Sequence, residues 1–208
     1  MTALPYRKSN GFTLIELLIV IAIIGILMAL LFPAVTGVIE AARKAKAKND
    51  VVQLAIAVKG YETEYGKLPT SVVSPDDGAE ASQGWFQGPN TGGQYNNEIV
   101  KVLMGEDYNG LNPRKIVFLE GRPAKGATNK PKDGIAADGM FYDPWGTPYA
   151  IKMDTSYNNA LEYYDTNQKN NFRTSVITIS FGPNMIQQDT SKTVDSSGKK
   201  VDDIVSFQ

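Results

Sequence analysis

"GFTLIELLIVIAIIGILMALLFPAV", from Gly11 to Val35, decides the architecture of this chain, because it is almost entirely hydrocarbon. Residues 12–32 contain one ionisable side chain, Glu16, and would form a helix about 32 Å long, enough to cross the hydrocarbon core of a bilayer. The Leu, Ile, Val and Phe side chains there contribute roughly −4.5 to −9 kcal/mol towards insertion, whereas a glutamate costs at most about 3.5 kcal/mol. The segment therefore predicts a transmembrane helix, and the carboxylate of Glu16 requires a functional explanation.

Two ordinary explanations account for only part of this segment. A cleaved secretory signal has an apolar region of about 7–15 residues and then a small-residue cleavage site, but this run is longer and is followed by Phe32 and Pro33. A plain signal anchor explains the length of the run but not the presence of Glu16. Neither explanation uses the residues that precede the apolar run.

The residues around Gly11 resemble the processing site of type IV pilins and type II secretion pseudopilins. The resemblance consists of a short basic leader, glycine followed by Phe12, the string Thr-Leu-Ile-Glu, and the apolar helix. It implies that a prepilin peptidase cuts after Gly11 and that Phe12 becomes the N-methylated first residue. It also implies that Glu16 of one subunit neutralises the new ammonium of its neighbour during assembly, and that Pro33 is the family's helix proline. Two such charges about 4 Å apart attract by about 4 kcal/mol at an effective dielectric constant of 20.

The composition excludes several classes of function. The 208 residues carry a net charge of −1 and include no histidine and no cysteine. Ser-His-Asp catalysis, Cys-His catalysis and histidine zinc sites are therefore excluded, and no phosphate-binding glycine motif is present. We expect no enzymatic activity and no nucleic-acid partner. Many type IV pilins carry a C-terminal disulfide, so the absence of cysteine favours a pseudopilin.

The helix is predicted to continue beyond the membrane to residue 65, with Gly66 after its end and Pro69 following. Its second half carries a stripe of side chains at helical spacing, namely Val51, Leu54, Ala55, Val58, Tyr61, Glu62 and Tyr65. We expect this stripe to pack on the chain's own domain. A stripe of smaller side chains just before it is expected to face neighbouring subunits, and consists of Val38, Ala42 and Ala45.

The region after the helix is predicted to contain two loops, over residues 74–94 and 125–139, because both are rich in Gly, Pro, Asn, Asp and Ser. Within the first loop, Trp85 and Phe86 are expected to be buried. Between the loops we predict a short helix that buries Ile99, Val102 and Leu103 and stops near Gly105. Residues 114–121 are predicted to form a short strand or an extended segment.

The C-terminal region is predicted to be an antiparallel sheet. Asp143, Pro144 and Gly146 suit positions of a type I turn, and the string D-P-W-G-x-P-Y resembles the entry to the sheet of major pseudopilins. We expect Trp145 to be a buried anchor of the sheet rather than a binding aromatic. Strands are predicted near residues 148–153, 161–164 and 174–181.

The tail resembles the acidic loop with which major pseudopilins bind calcium. The resemblance implies candidate calcium ligands, namely Asp189, Asp195, Asp202 and Asp203. The alternative is a solvated acidic loop, which the interspersed lysines favour. A second acidic group mimics EF-hand spacing but lacks the glycine, so it is predicted to be a plain turn, and it consists of Asp154, Ser156, Asn158 and Asp165.

Taken with the resemblance, these features predict an α+β, pilin-like fold in which a long N-terminal helix, half transmembrane and half amphipathic, packs on a small antiparallel β-sheet. The predicted organisation is a cleaved leader (1–11), a transmembrane and filament-core helix (12–33), its amphipathic continuation (34–66), a connecting region (67–141), and a C-terminal sheet with an acidic loop (142–208).

The predicted function is polymerisation into a type II secretion pseudopilus that exports folded proteins across the outer membrane. The alternative is a type IV pilin for adhesion, motility or DNA uptake. The implied partners are further copies of the chain, prepilin peptidase, minor pseudopilins and the inner-membrane assembly platform. The implied location is the inner membrane, with a cytoplasmic N-terminus and a periplasmic C-terminal domain, and then the periplasmic pseudopilus. Counting basic residues does not favour this orientation, which rests on the resemblance alone.

Overall fold

The computed structural model describes residues 12–71, 85–87, 94–165, 168–184 and 203–206. Its contacts divide the chain into two compact units, Met1–Ala42 and Arg43–Gln208. One helix, α1 (Leu14–Tyr65), contributes residues to both units. The fold is α+β and consistent with a pilin-like architecture, as predicted.

The described part of the first unit is the apolar beginning of α1. Residues 12–32 are all exposed, and the large apolar side chains among them range from 44% exposed at Val20 to 89% at Leu14. Among the described residues, α1 is the helix long and apolar enough to cross a membrane. The backbone remains helical through Pro33. An apolar surface of this extent needs lipid or other apolar partners, because water disfavours it.

The end of α1 is where the sequence predicted it. Gly66 adopts a φ of +65°, a conformation that costs glycine little. Its N–H donates to the carbonyl of Glu62 at 2.8 Å, which satisfies one of the last carbonyls of the helix.

The remaining described elements of regular structure all belong to the second unit. They are β1 (Trp85–Gln87), β2 (Gln94–Tyr95), α2 (Asn97–Leu103), a 3₁₀ turn (Tyr108–Gly110), β3 (Lys125–Ala127), β4 (Lys130–Lys132), β5 (Gly134–Ile135), β6 (Phe141–Tyr142), β7 (Ala150–Met153), β8 (Leu161–Asp165), β9 (Gln168–Phe172), β10 (Val176–Ser180), a second 3₁₀ turn (Gly182–Asn184) and β11 (Ile204–Val205).

The main sheet has five strands in the order β11-β10-β7-β1-β2. All neighbours are antiparallel except β1 and β2, which are parallel. Side chains of β7 and β10 are buried on both faces of this sheet. Ile151 faces an apolar cluster that includes α1, whereas Ile177 and Ile179 face a second cluster completed by Leu161, as the two-residue period of a strand requires.

The helical stripe predicted to pack on the domain does so. Its buried members are Val51, Leu54, Ala55, Val58 and Tyr61, whereas Glu62 and Tyr65 are half-buried. The predicted helix α2 is also present and buries Ile99, Val102 and Leu103 as expected. The earlier stripe of Val38, Ala42 and Ala45 is exposed, and its contact with neighbouring subunits stays a prediction.

Several loop and strand predictions were wrong. The first predicted loop contains β1 and the first residue of β2, and the second contains β3, β4 and β5. Residues 114–121 form no strand, so of the two predicted alternatives only the extended segment is left. The strand near residue 161 exists, but it pairs with β9 in a separate hairpin, and β9 and β11 were not predicted. These short strands are polar or depend on distant partners. Their sequences therefore show little alternation of apolar and polar side chains. The predicted burial of Trp85 and Phe86 lies outside the described side chains.

The turn at Asp143 is confirmed and is reinforced by its own carboxylate. Gly146 N–H donates to the Asp143 carbonyl at 3.2 Å, while Asp143 Oδ1 accepts the N–H groups of Trp145, Gly146 and Thr147 at 2.9–3.0 Å. The Ser180 hydroxyl donates to Asp143 Oδ2 at 2.7 Å and ties the turn to β10. Trp145 is half-buried, so the expectation of a buried anchor holds only in part. The side chain that anchors this turn is Asp143.

Candidate functional site

The first candidate site is the beginning of α1, where Thr13 and Glu16 form a closed pair of hydrogen bonds. Glu16 Oε2 accepts the Thr13 backbone N–H at 2.8 Å and the Thr13 hydroxyl at 2.7 Å. The Glu16 N–H in turn donates to Thr13 Oγ1 at 3.3 Å. This is a capping box, in which an N-terminal Thr and a Glu three residues later satisfy each other's backbone donors.

The capping box gives Glu16 a structural role that the sequence analysis missed. The spacing of threonine and glutamate three residues apart, directly before an apolar run, was the available signal. The carboxylate also lies in the first turn of α1, where the helix dipole favours negative charge. Phe12, the predicted first mature residue, is 79% exposed, whereas Gly11 lies outside the described residues.

The second candidate site is a charged cluster on the second unit, centred on Asp50 and Arg122. The Arg122 guanidinium donates to both oxygens of Asp50 at 2.9 and 2.5 Å, and Tyr149 donates its hydroxyl to Asp50 at 2.7 Å. Asp50 is 1% exposed, so its charge depends on these partners. Burial and the neighbouring Asp50 charge raise the pKa of Tyr149 and keep it a donor. The cluster fastens residue 122 to α1.

Asp133 extends this cluster towards the surface. It binds Lys46 at 2.5 Å, Arg122 at 3.0 Å and Lys125 at 3.0 Å. Burial raises the pKa of Asp133, but the hydrogen bonds from Lys46, Lys125 and Arg122 outweigh it and lower that pKa to about 2. One carboxylate therefore holds three cations from two parts of the chain. This cluster was not predicted from the sequence, and its one local signal is Asp50, which lies one helical turn before Leu54 on the buried stripe.

The two candidate calcium groups differ in what the structure shows of them. Asp203 is buried directly before β11, whereas Asp189, Asp195 and Asp202 lie outside the described residues. The described part of the chain holds no group of three His, Cys, Asp or Glu side chains that could bind a metal ion. Carboxylates are suitable calcium ligands, so a site at Asp195, Asp202 and Asp203 stays a prediction.

The EF-hand-like group is a turn, as predicted. Asp154 Oδ1 accepts the Ser156 hydroxyl and the Asn158 N–H, both at 3.2 Å. Asp154 Oδ2 accepts the Asn159 N–H at 2.7 Å. Both oxygens of the first would-be ligand are thus used by the turn itself. The side chain of Asp165 lies outside those described.

Comparison with known proteins agrees with the geometry of the first site. Residues 6–32 match the family model of the prokaryotic N-terminal methylation motif. This match covers the Gly11-Phe12 bond, the capping box and the apolar half of α1. No solved structure matches the chain.

Curated relatives match well beyond this motif, and those that carry the name type II secretion system core protein G include the proteins of Vibrio cholerae, Escherichia coli K12 and Pseudomonas aeruginosa. The chain is 34% identical to the Vibrio cholerae protein over 51% of its own length and 73% of the relative. It is 36% identical to the Escherichia coli K12 protein over 51% of its own length and 74% of the relative. It is 37% identical to the Pseudomonas aeruginosa protein over 69% of its own length and 72% of the relative. The chain therefore belongs to the family of the type II secretion system core protein G, the major pseudopilins.

Proposed function

We propose that this chain is a structural subunit that polymerises into a type II secretion pseudopilus, which exports folded proteins across the outer membrane. The observation that carries the proposal is the methylation motif at residues 6–32 in a chain that is 34–37% identical to core protein G over most of those relatives. The fully exposed apolar half of α1 supports it, because a membrane covers this surface before assembly and neighbouring subunits cover it afterwards.

Assembly proceeds in this proposal from a processed subunit. Prepilin peptidase cuts after Gly11, Phe12 becomes the methylated N-terminus, and Glu16 neutralises the ammonium of a neighbouring Phe12. The capping box leaves Glu16 Oε1 without a hydrogen bond to Thr13, so one carboxylate oxygen remains for that contact. Pro33 supports close packing of the helices by weakening the hydrogen-bond ladder of α1 at its position.

The proposed location and partners follow from the family. The N-terminus faces the cytoplasm, the helix spans the inner membrane once, and the second unit lies in the periplasm. The partners are further copies of the chain, prepilin peptidase, the minor pseudopilins and the inner-membrane assembly platform. We propose no enzymatic activity for the chain.

The test is the extracellular proteome of a strain that lacks this gene, complemented with the wild-type gene or with Glu16→Ala. We expect specific folded enzymes to accumulate in the periplasm, and only the wild-type gene to restore their release. Unchanged secretion together with loss of surface filaments or DNA uptake would instead identify a type IV pilin.

A further inference from the structure

The hairpin formed by β3 and β4 presents three lysines on one surface. Lys125 of β3 lies directly opposite Lys132 of β4, and Lys130 precedes Lys132 by two residues on the same strand. Directly opposite residues, and residues two apart in one strand, point to the same face of a sheet. All three lysines are exposed. We call this surface the lysine face.

The lysine face is only partly neutralised by its own chain. Like charges directly opposite each other destabilise a strand pair, yet Lys125 and Lys132 occupy such positions. Lys125 is bound by Asp133, but Asp133 also serves Lys46 and Arg122. Within the described residues, Lys130 and Lys132 form no ion pair. The lysine face therefore carries an excess of positive charge that an anionic partner would neutralise.

A groove of about 830 Å³ adjoins the lysine face. Lys125, Ala127 and Pro131 line its hairpin side, and Met104 and Ile135 give it an apolar lining. Asp138 also lines it and removes part of the positive charge. The groove has room for a protruding turn of another molecule, and the cations that line it are Arg122 and Lys125.

The same chain carries such a turn. Glu106 and Asp107 are adjacent and exposed, directly after Gly105. The Glu106 N–H donates to the Lys101 carbonyl at 3.0 Å, which holds the turn at the end of α2. Neither carboxylate forms an ion pair within the described part of the chain. The backbone of Lys115 runs beside Gly105 and packs against the beginning of this turn. We call residues 105–107 the acidic turn.

We propose that the lysine face of one copy binds the acidic turn of a second copy. The two surfaces carry opposite excess charge, and among the described residues Lys130 and Lys132 on one surface and Glu106 and Asp107 on the other form no ion pair. The contact joins two different surfaces of the subunit. A pair of subunits therefore still has one lysine face and one acidic turn available, and the contact can repeat from subunit to subunit. This inference rests on the proposed polymerisation and names surfaces that hold successive second units together.

The expected strength of the contact follows from its exposure. Single ion pairs at a protein surface contribute little, but this contact recurs at every subunit and opposes wrong registers through like-charge repulsion. Screening acts over about 8 Å at physiological ionic strength. We therefore expect the contact to affect filament yield strongly at low salt and weakly at high salt.

The direct test uses disulfide cross-linking, since the chain has no cysteine of its own. Filaments of the full chain carrying Lys130→Cys and Asp107→Cys should give a ladder of dimers, trimers and higher species after oxidation. On a denaturing gel, each single variant should run as a monomer after oxidation. The control pair Lys130→Cys with Lys67→Cys should do the same. Adding Glu16→Ala should abolish the ladder. Normal filaments without a ladder would overturn the proposal.

A charge exchange provides the second test. Reversing the charge of the two lysines that form no ion pair among the described residues (Lys130→Glu with Lys132→Glu) should reduce filament yield about tenfold at low salt. Adding Glu106→Lys and Asp107→Lys should restore it. Failure of this rescue contradicts the pairing. If the reversed lysines leave filaments intact but abolish binding to phosphatidylglycerol vesicles, the lysine face binds lipid and the proposal is wrong. If the wild-type chain forms no filament, the proposed function fails first and this inference with it.

Discussion

The carboxylate of Glu16 accepts two hydrogen bonds from Thr13, from its backbone N–H at 2.8 Å and its hydroxyl at 2.7 Å. These bonds give a charged residue in an apolar helix a partner within its own chain. Glu16 thus has two roles with different requirements. Capping requires only a hydrogen-bond acceptor, whereas neutralising an ammonium requires a negative charge.

Glu16→Gln is expected to separate these roles, since glutamine also completes a capping box. The variant should be inserted, cleaved after Gly11 and methylated, yet form as little filament as Glu16→Ala because it lacks the charge. The intact mass of the mature chain reports processing, and electron microscopy reports filament yield. Thr13→Val is the matched control that removes the hydroxyl from the capping box but keeps the backbone N–H bond and the charge of Glu16, and it should assemble better than either variant. Wild-type assembly by Glu16→Gln would assign Glu16 to capping alone.

Arg122→Ala is expected to destabilise the second unit, because it leaves the buried carboxylate of Asp50 without a cation. Removing one partner of a buried pair costs about 3–5 kcal/mol. Arg122 is 34% exposed, and water therefore reduces the expected loss to about 2–4 kcal/mol. Thermal unfolding of the full chain in detergent, followed by near-ultraviolet circular dichroism, measures it. The control Lys132→Ala should change stability by less than about 0.5 kcal/mol, and an equal effect of both variants would contradict the role of the cluster.

Acid is expected to weaken the contact of residue 133 with α1. The pKa of Asp133 is lowered from 3.8 to about 2, despite burial, by its bonds to Lys46, Lys125 and Arg122. A carboxylate with a depressed pKa stabilises the fold above its unfolded pKa and loses that contribution as the pH falls through its folded pKa. Between about pH 4 and pH 2 the free energy of unfolding of the wild type should therefore fall by about 1–2 kcal/mol as Asp133 is protonated. Asp133→Asn has no such contribution at any pH. Melting temperatures are measured for both proteins across this pH range. If they fall equally with pH, Asp133 does not make this contribution to stability.

Asn112→Ala is expected to loosen the connection between α1 and the segment after α2. The Asn112 amide donates to the Val102 and Ile116 carbonyls at 2.8 and 2.9 Å. Its oxygen accepts the Tyr65 hydroxyl at 2.6 Å and the Ile116 N–H at 3.1 Å. Leaving these buried groups unpaired should cost about 2–4 kcal/mol.

The measurement for Asn112→Ala is again the unfolding of the full chain in detergent. Asn49 is exposed on α1, and Asn49→Ala is therefore the matched control, expected to be neutral or slightly stabilising because alanine favours a helix. A loss in Asn112→Ala no larger than in this control would show that the amide does not hold the segment.

Much of the fold and of the first site could be predicted, because their signals are local. The apolar run, the stripe from Val51 to Tyr65, the glycine after it and the turn at Asp143 each depend on neighbours within a few residues. The capping box at Thr13 and Glu16 was equally readable and was missed. By contrast, β1 and β11 are short, and they are strands because β7 and β10 offer them hydrogen bonds.

The sequence by itself determined the long apolar helix, its glutamate, its end before Gly66 and the likeness to pseudopilins, because each is encoded in contiguous residues whose spacing matches a helix or a turn. Only the tertiary structure decided that Asp50 meets Arg122, that Asp133 holds three cations, and that three lysines share one face of a hairpin. Asp50 and Arg122 are 72 residues apart. Such partners are brought together by burial of apolar side chains between them, which constrains position without leaving a pattern in either segment.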